Sequence, residues 1–488
     1  MKEINHTMMQ YFEWYLPNDC NLWNVVAQKA SRFNKMGITS IWLPPAQKSA
    51  AGINDTGYGC YDLYDLGEFY QKGTVRTKYG TKEEYLNAIR SLQNAGIKVL
   101  ADIVLNHRLG ADEKQDVIAC RVDSENRLRS ISDYKTISAW TKYNFDGRNN
   151  KYSSFKMNWS HFNAIDYDCN TNENDIFRFY GKHFSLDVDQ EKGNFDYLMG
   201  ADVDFNNLDT VDELNFWGKW FYDTTHVDGF RLDAVKHIRS SFYKRWLHDL
   251  NQEFNTHLYT VGEYFSYNID SLINYLEYNT EVDTLFDVPL HGHFMEASRK
   301  AGDYDMRYIL EDTLVDRRPS KAVTFVDNHD TEPGQILESW IDSWFKPLAY
   351  ALIMLRDKGI PCIFYGDYYG VPQYNIPPMK DFLDILLLTR KYLAYGKQHD
   401  YFDDPNIIGW TREGDYYHQD SGVAVVLSDG EGGGKQMNIG KNLADTVLYD
   451  CTGNVKETVY VDKNGNGIFY CNGGSVSVWI KKDNMYNL

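Results

Sequence analysis

Four short segments of this 488-residue chain end an apolar run with residues that can do chemistry. They are Asp102-Ile103-Val104-Leu105-Asn106-His107, Gly229-Phe230-Arg231-Leu232-Asp233-Ala234-Val235-Lys236-His237, Val261-Gly262-Glu263 and Phe325-Val326-Asp327-Asn328-His329-Asp330. Any single charged residue among them could do no more than cap a strand at the rim of a domain. Four such ends brought together repel one another unless the charge serves catalysis or holds a cation. Asp233, Glu263 and Asp330 suit the hydrolysis of an acetal. That reaction needs an acid to protonate the leaving oxygen and a carboxylate facing the anomeric carbon. Crowding of three acids raises the pKa of one and fits it to be the acid. The residues alone leave open which acid takes which role.

These segments need a frame that gathers strand ends on one face. A recurring pattern supplies it. Lys35-Met36-Gly37-Ile38 closes a helical stretch and leads into Ser40-Ile41-Trp42-Leu43, and Asn94-Ala95-Gly96-Ile97 leads into Lys98-Val99-Leu100-Ala101. Glycine ends the helix in a left-handed cap, and a strand buried on both faces reads as a continuous apolar run. The same reading predicts strands at Met8–Phe12, Ser40–Leu43, Val99–Leu105, Gly229–Asp233, Leu258–Glu263, Thr284–Val288, Ala322–Val326 and Pro361–Tyr365. Phe242, Trp246 and Leu250 mark one helix face behind Ser240 and Ser241. The fold class is therefore α/β, a (β/α)8 TIM barrel whose site lies at the C-terminal strand ends. A doubly wound sheet is the alternative, but the Gly-rich dinucleotide fingerprint it normally carries is missing. Asp233 and Glu263 end adjacent strands, which lie about 5 Å apart. That matches the roughly 5–5.5 Å carboxyl separation of retaining glycosidases rather than the wider inverting one.

Two stretches break the alternation. The first, rich in Asp and Asn, is too long for a loop and reads as a domain inserted after strand three. The second turns β-like and reads as a C-terminal antiparallel β-sandwich domain. The expected division is 1–107 and 208–395 for the barrel, 108–207 for the insertion and 396–488 for the C-terminal domain. Asp462-Lys463-Asn464-Gly465-Asn466-Gly467 starts like a calcium-binding EF-hand loop, but Gly473 stands where that loop needs Glu, so a hairpin turn is expected.

Composition narrows the partners. Lys and Arg number 50 against 69 Asp and Glu, a net charge of −19. Nucleic acid and anionic membranes need basic surfaces and are excluded as partners. Aromatics make up 15% of the chain, which suits stacking on the C–H faces of sugars but equally suits a core. No 18-residue apolar run offers a transmembrane helix. The Met1-Lys2-Glu3-Ile4-Asn5-His6 start lacks the apolar stretch of a signal peptide. The seven Cys show no C-x-x-C spacing and fit a reducing compartment, so a cytoplasmic protein is expected, with secretion after loss of a leader as the alternative.

The four segments resemble the four signature regions of the α-amylase superfamily, glycoside hydrolase family thirteen. Leu198-Met199-Gly200-Ala201-Asp202-Val203-Asp204 resembles its fifth. Met9-Gln10-Tyr11-Phe12-Glu13-Trp14-Tyr15 and the Gly57–Phe69 stretch resemble the bacterial liquefying group. The likeness covers the whole chain. It implies endo-hydrolysis of α-1,4-glucosidic bonds in starch, glycogen and maltooligosaccharides by a monomer, with retention. An exo-acting maltooligosaccharide-forming enzyme or a transglycosylase on the same scaffold is the alternative. The resemblance makes Asp233 the nucleophile, Glu263 the proton donor and Asp330 the residue that holds sugar hydroxyls and stabilises the transition state. It has Arg231 pair with Asp233, and His107 and His329 bind hydroxyls of the sugar being cleaved. Lys236 and His237 meet the sugar on the leaving-group side, and Tyr58 stacks under the ring at the cleavage point.

The resemblance also implies Ca2+. One ion is expected on Asn106, Asp196, Asp202 and the His237 carbonyl, joining the insertion to the barrel. Liquefying relatives often hold a three-ion cluster there. In this chain Asn163, Ser185 and Asn206 stand where carboxylates are expected, so a single ion is predicted. A further calcium is expected between barrel and C-terminal domain on the carbonyls of Gly302, Tyr304 and His399 and the carboxylates of Asp400 and Asp429.

Overall fold

The structure, a computed structural model, describes residues 4–481. The first three residues, on which part of the signal-peptide expectation falls, and the end of the C-terminal domain beyond Lys481 lie outside the described residues.

Eight strands form a closed parallel barrel. They are β1 (Met8–Gln10), β2 (Ser40–Leu43), β3 (Lys98–Ile103), β4 (Gly229–Leu232), β5 (Tyr259–Gly262), β6 (Thr284–Phe286), β7 (Ala322–Phe325) and β8 (Ile360–Phe364). Each pairs with its neighbours in chain order, and β1 closes the ring by pairing with both β2 and β8. The helix–strand punctuation works as expected. Gly37 ends the helix Leu22–Met36 at φ +91°, and its N–H returns to Asn34 O. Thr81 and Glu84 form a capping box that starts the helix Lys82–Asn94. Trp42, Phe230, Leu232, Val261, Leu285 and Phe325 are buried in the core around the barrel wall.

The Arg108–Asn207 stretch holds its own four-stranded antiparallel sheet, in the order Lys135–Lys142, Glu113–Arg121, Glu173–Phe179, Ala164–Asp168. Its two ends meet where His107–Arg108 pairs antiparallel with Ala201–Asp202. That pairing brings Asp202 beside the end of β3.

Beyond the barrel, six antiparallel strands form one sheet, and a ribbon of Gly433–Asn438 with Asn466–Cys471 packs over it. The strand Val423–Ser428 alternates. Val423, Val425 and Leu427 join the barrel's core, while Ala424 and Val426 face the ribbon with Met437, Phe469 and Trp479. The Asp462–Asn466 turn is held by the Asp462 carboxylate, which accepts the N–H groups of Asn464 and Asn466. The strands it joins lie in different sheets, so it is a connection between layers and not the hairpin expected from sequence.

Candidate active site

The barrel registers bring the chemistry together. Arg231 on β4 lies opposite Asp102 on β3, and Leu232 lies opposite Gly262 on β5. Asp233 and Glu263 are the next residues on each strand, and the Glu263 N–H donates to Leu232 O at 2.9 Å. Residues two apart on a strand share a face, so Arg231 and Asp233 both point into the cleft.

One guanidinium organises the acids. Arg231 Nη1 donates to Asp233 Oδ1 at 2.5 Å and to Asp102 Oδ1 at 3.0 Å, while Nη2 stands 3.7 Å from Glu263 Oε2. Arg231 is fully buried. Asp102 is fixed from the other side by Trp42 Nε1 and by the Tyr58 hydroxyl, each donating to Oδ2 at 2.8 Å. Ala234 sits at φ +49°, a left-handed conformation rare for a residue with a Cβ, and its N–H donates to Glu263 Oε2 at 2.8 Å. Strain at that turn is tolerated where it aims a backbone donor at the acid.

Burial, opposed by Arg231 and reinforced by the Asp233 and Asp330 charges, pushes Glu263 up to about 8. Burial and the same ring of acids push Asp330 up to about 7 and Asp102 to about 6. The histidines move the other way. Burial, with Arg231 nearby, holds His329 well below its ordinary value. Burial also lowers His107, and with Lys236 beside it takes His237 down to about 3. All three imidazoles are therefore neutral and can donate or accept toward hydroxyls.

The remaining predicted substrate residues fall around these acids. His329 Nδ1 is bonded to Gln10 Nε2 at 3.0 Å, and its Nε2 is 3.5 Å from Asp330 Oδ2. His107 Nε2 bonds the Tyr58 carbonyl at 2.9 Å. The Tyr58 ring is parallel to those of His329 and Trp14, with centroids 4.8 and 6.0 Å away. Lys236 Nζ donates to Phe265 O and to Glu191 Oε2, both at 2.9 Å, and His237 Nδ1 bonds Phe195 O at 2.7 Å. Glu191 comes from the inserted segment, so that segment forms one wall of the cleft. Asp102, Trp42, Gln10, Trp14 and Glu191 were not singled out as site residues from the sequence.

The expected calcium ligands divide into two cases. Asp196 and Asp202 are buried and share one amide, since Asn163 Nδ2 lies 3.2 Å from Asp196 Oδ2 and 3.3 Å from Asp202 Oδ2. Nearby oxygens Asn163 Oδ1 and Ser185 Oγ, and the Asn106 amide nitrogen, have no partner. Burial and mutual repulsion push Asp196 up to about 7 and Asp202 well above its usual range. Two crowded buried carboxylates with unsatisfied amide and hydroxyl oxygens fit a hard cation. Among the described residues no group of three or more His, Cys, Asp or Glu side chains could hold a metal, so an ion here depends on Asn and backbone oxygens. Asp204 is instead paired with Lys182 at 2.7 Å, and Asn206 accepts from Arg239 at 2.9 Å.

The second expected site fits less well. Both Asp400 oxygens are bonded by Arg356, at 2.7 and 2.9 Å. The Asn406 amide donates to Gly302 O at 2.7 Å and to Asp429 Oδ1 at 3.0 Å. Tyr304 N–H turns back to Ala301 O, and the His399 ring pairs with Glu413 at 2.6 Å. Protein donors thus occupy the Asp400 carboxylate, the Gly302 carbonyl and one Asp429 oxygen, while Asp429 Oδ2 has no partner.

Comparison with known proteins decides the family. The family described as "Alpha amylase, catalytic domain" matches residues 22–392, and "Alpha-amylase C-terminal" matches 424–480. The chain belongs to the α-amylase family. It is 53% identical over 481 residues to an "Alpha-amylase" of Geobacillus stearothermophilus, covering 98% of this chain and 87% of that protein. It is 50% identical to a "Glucan 1,4-alpha-maltohexaosidase" of Bacillus sp. (strain 707), covering 98% and 93%. A "Cytoplasmic alpha-amylase" of Escherichia coli (strain K12) is 43% identical, covering 98% and 99%. The chain is thus a glycoside hydrolase of the α-amylase type.

Proposed function

We propose that this α-amylase is an endo-acting, retaining hydrolase of α-1,4-glucosidic bonds in starch, glycogen and maltooligosaccharides. The observation that carries this reading is Arg231, which joins Asp233 and Glu263 at the paired ends of β4 and β5. Asp233, an acceptor-only carboxylate bonded to Arg231, attacks the anomeric carbon. Glu263, held protonated by its burial, delivers its proton to the leaving glycosidic oxygen. A glycosyl–Asp233 ester results. Glu263, now a carboxylate, takes a proton from water, which opens the ester with overall retention. Asp330 and the neutral His107 and His329 hold sugar hydroxyls, Tyr58 and Trp14 offer ring faces, and Lys236 and His237 meet the departing chain.

Calcium belongs to the same proposal, confined to the first site. Asn106, Asp196, Asp202 and the His237 carbonyl would hold one ion. When bound, it neutralises two buried carboxylates and ties the ends of β3 and β4 to the inserted wall. The enzyme is also proposed to be a cytoplasmic monomer. Its seven free Cys and its likeness to the Escherichia coli protein support the location. Among the described residues no helix is long and apolar enough to cross a membrane.

The test is hydrolysis of soluble starch by the wild type and by Asp233→Asn. The wild type should release reducing ends of α configuration with a fast early fall in viscosity, and the variant should be inactive. Equal slow release by both would overturn the catalytic reading. The maltohexaosidase relative favours a second reading, exo attack, in which one short oligosaccharide dominates from the first minutes while viscosity falls slowly.

A further inference from the structure

Two carboxyl groups that the reaction does not use lie buried beside the cleft. Glu13 follows β1 and is 3% exposed; Glu332 follows β7, just past Asp330, and is 0% exposed. Glu332 Oε2 accepts the Trp14 N–H at 3.1 Å, and its Oε1 has no partner. Glu13 accepts the Tyr15 N–H. The same loops are tied again through the Tyr15 hydroxyl, which donates to Pro333 O at 2.7 Å and accepts from Gln335 Nε2 at 2.8 Å.

The surroundings of Glu332 are acidic. Glu13 faces it from the β1 loop, Asp327 from the end of β7 and Asp367 from the helix after β8. Lys346 places its ammonium between Asp327 and Asp367. Lys78 acts on Glu13 but bonds Asn18 Oδ1. A buried carboxylate ringed by acids is expensive, whereas the neutral acid is not. Burial and the Glu13 charge accordingly push Glu332 up to about 10, and burial pushes Glu13 up to about 7.

Trp14 links this pair to the cleft. Its ring is parallel to Tyr58 and to His329, within 5° and 10°. We propose that Glu332 is a positioning residue: by holding the Trp14 amide it sets the aromatic face that a glucan chain meets beside Asp330. This rests on reading Tyr58 and Trp14 as a glucan platform. The proton on Glu332 lets the two loops close over an acid pair, so the clamp works best when that proton is easily held.

Full-length wild type, Glu332→Gln and Glu332→Leu test this with maltoheptaose near pH 6.5 and with melting curves across pH. Leu offers Trp14 no acceptor, so KM should rise about fivefold or more while kcat stays within about threefold. Gln restores an acceptor and should return KM to within about twofold of wild type. Gln carries no proton to lose. In the wild type the folded carboxyl sits above its unfolded value, so the stability it contributes is present at low pH and lost as pH rises toward the folded value. The Glu332→Gln melting temperature should therefore exceed wild type by a margin that grows between about pH 5 and 9. An unchanged KM in the Leu variant, or a margin that does not vary with pH, overturns the proposal. If the Leu variant does not fold, the pH dependence of the Gln margin decides alone. A wild type that fails to cleave maltoheptaose at all overturns the functional reading instead.

Discussion

A carboxyl group that protonates a leaving oxygen must still hold its proton at the working pH. Glu263, pushed up to about 8 by burial among Asp233 and Asp330, meets that condition at neutrality. Its loss sets an alkaline limit: kcat/KM should decline above about pH 8 with a slope near one decade per unit. A pH–rate profile that stays flat through about pH 9 would exclude Glu263 as the acid. Asp102 makes a separate prediction. It shares the Arg231 guanidinium with Asp233, and Asp102→Asn leaves a buried cation with one partner fewer. Stability should fall by about 3 kcal/mol. Turnover should fall about 100-fold, with KM little changed, because the Asp233 carboxylate loses its fixed aim. Denaturant titration and steady-state kinetics check both. That Asp233, Glu263 and Asp330 would be gathered was legible in the sequence because each follows the apolar run of a predicted strand, with Arg231 inside one of them. Asp102 was on view in the same motif, but its role depends on facing Arg231 across β3 and β4, and that pairing exists only once the barrel has closed.

At the scale of elements, every barrel strand was legible, with ends within a few residues of those observed. Continuous burial makes such strands largely apolar, and glycines at positive φ such as Gly37 and Gly96 mark where two of them begin. The sheet inside the insertion was not legible. Its strands are half-exposed, and Glu113–Arg121 opens with four polar residues before its apolar alternation begins. That insertion has an apolar core, with Phe162, Phe177 and Phe179 buried, but charge balance matters to it as well. Asp196 and Asp202 are buried and crowded, whereas Asp204 is already neutralised by Lys182. A chelator should therefore lower the melting temperature by several degrees, and added Ca2+ should restore it. Elemental analysis should give about one calcium per chain, and three would contradict the proposed site. Lys182→Met strands the Asp204 carboxylate and should cost about 3 kcal/mol, read from the same melting curves.

Across the whole molecule, the barrel and the C-terminal sheet share one apolar core. Val423, Val425, Leu427, Val476, Val478 and Ile480 from the sheet belong to the same buried cluster as Leu348, Ala351 and Leu352 of the barrel helix Lys346–Leu355. Trp410 is fully buried at this junction, and its indole donates to Leu355 O at 3.2 Å. Arg356 adds a polar tie across it, donating to the two Asp400 oxygens at 2.7 and 2.9 Å. Interfaces between loosely associated domains are more polar than this. The two units should accordingly unfold together, giving a single calorimetric transition whose van't Hoff and calorimetric enthalpies agree. Trp410→Ala removes the largest side chain of the junction and should cost about 3–5 kcal/mol. Because the junction is shared, that loss should lower the one transition temperature and with it the temperature at which starch cleavage is lost, although Trp410 lies outside the catalytic cleft. Two resolved transitions, with the variant moving only the lower one, would show that the C-terminal sheet folds independently and that the active site does not depend on it.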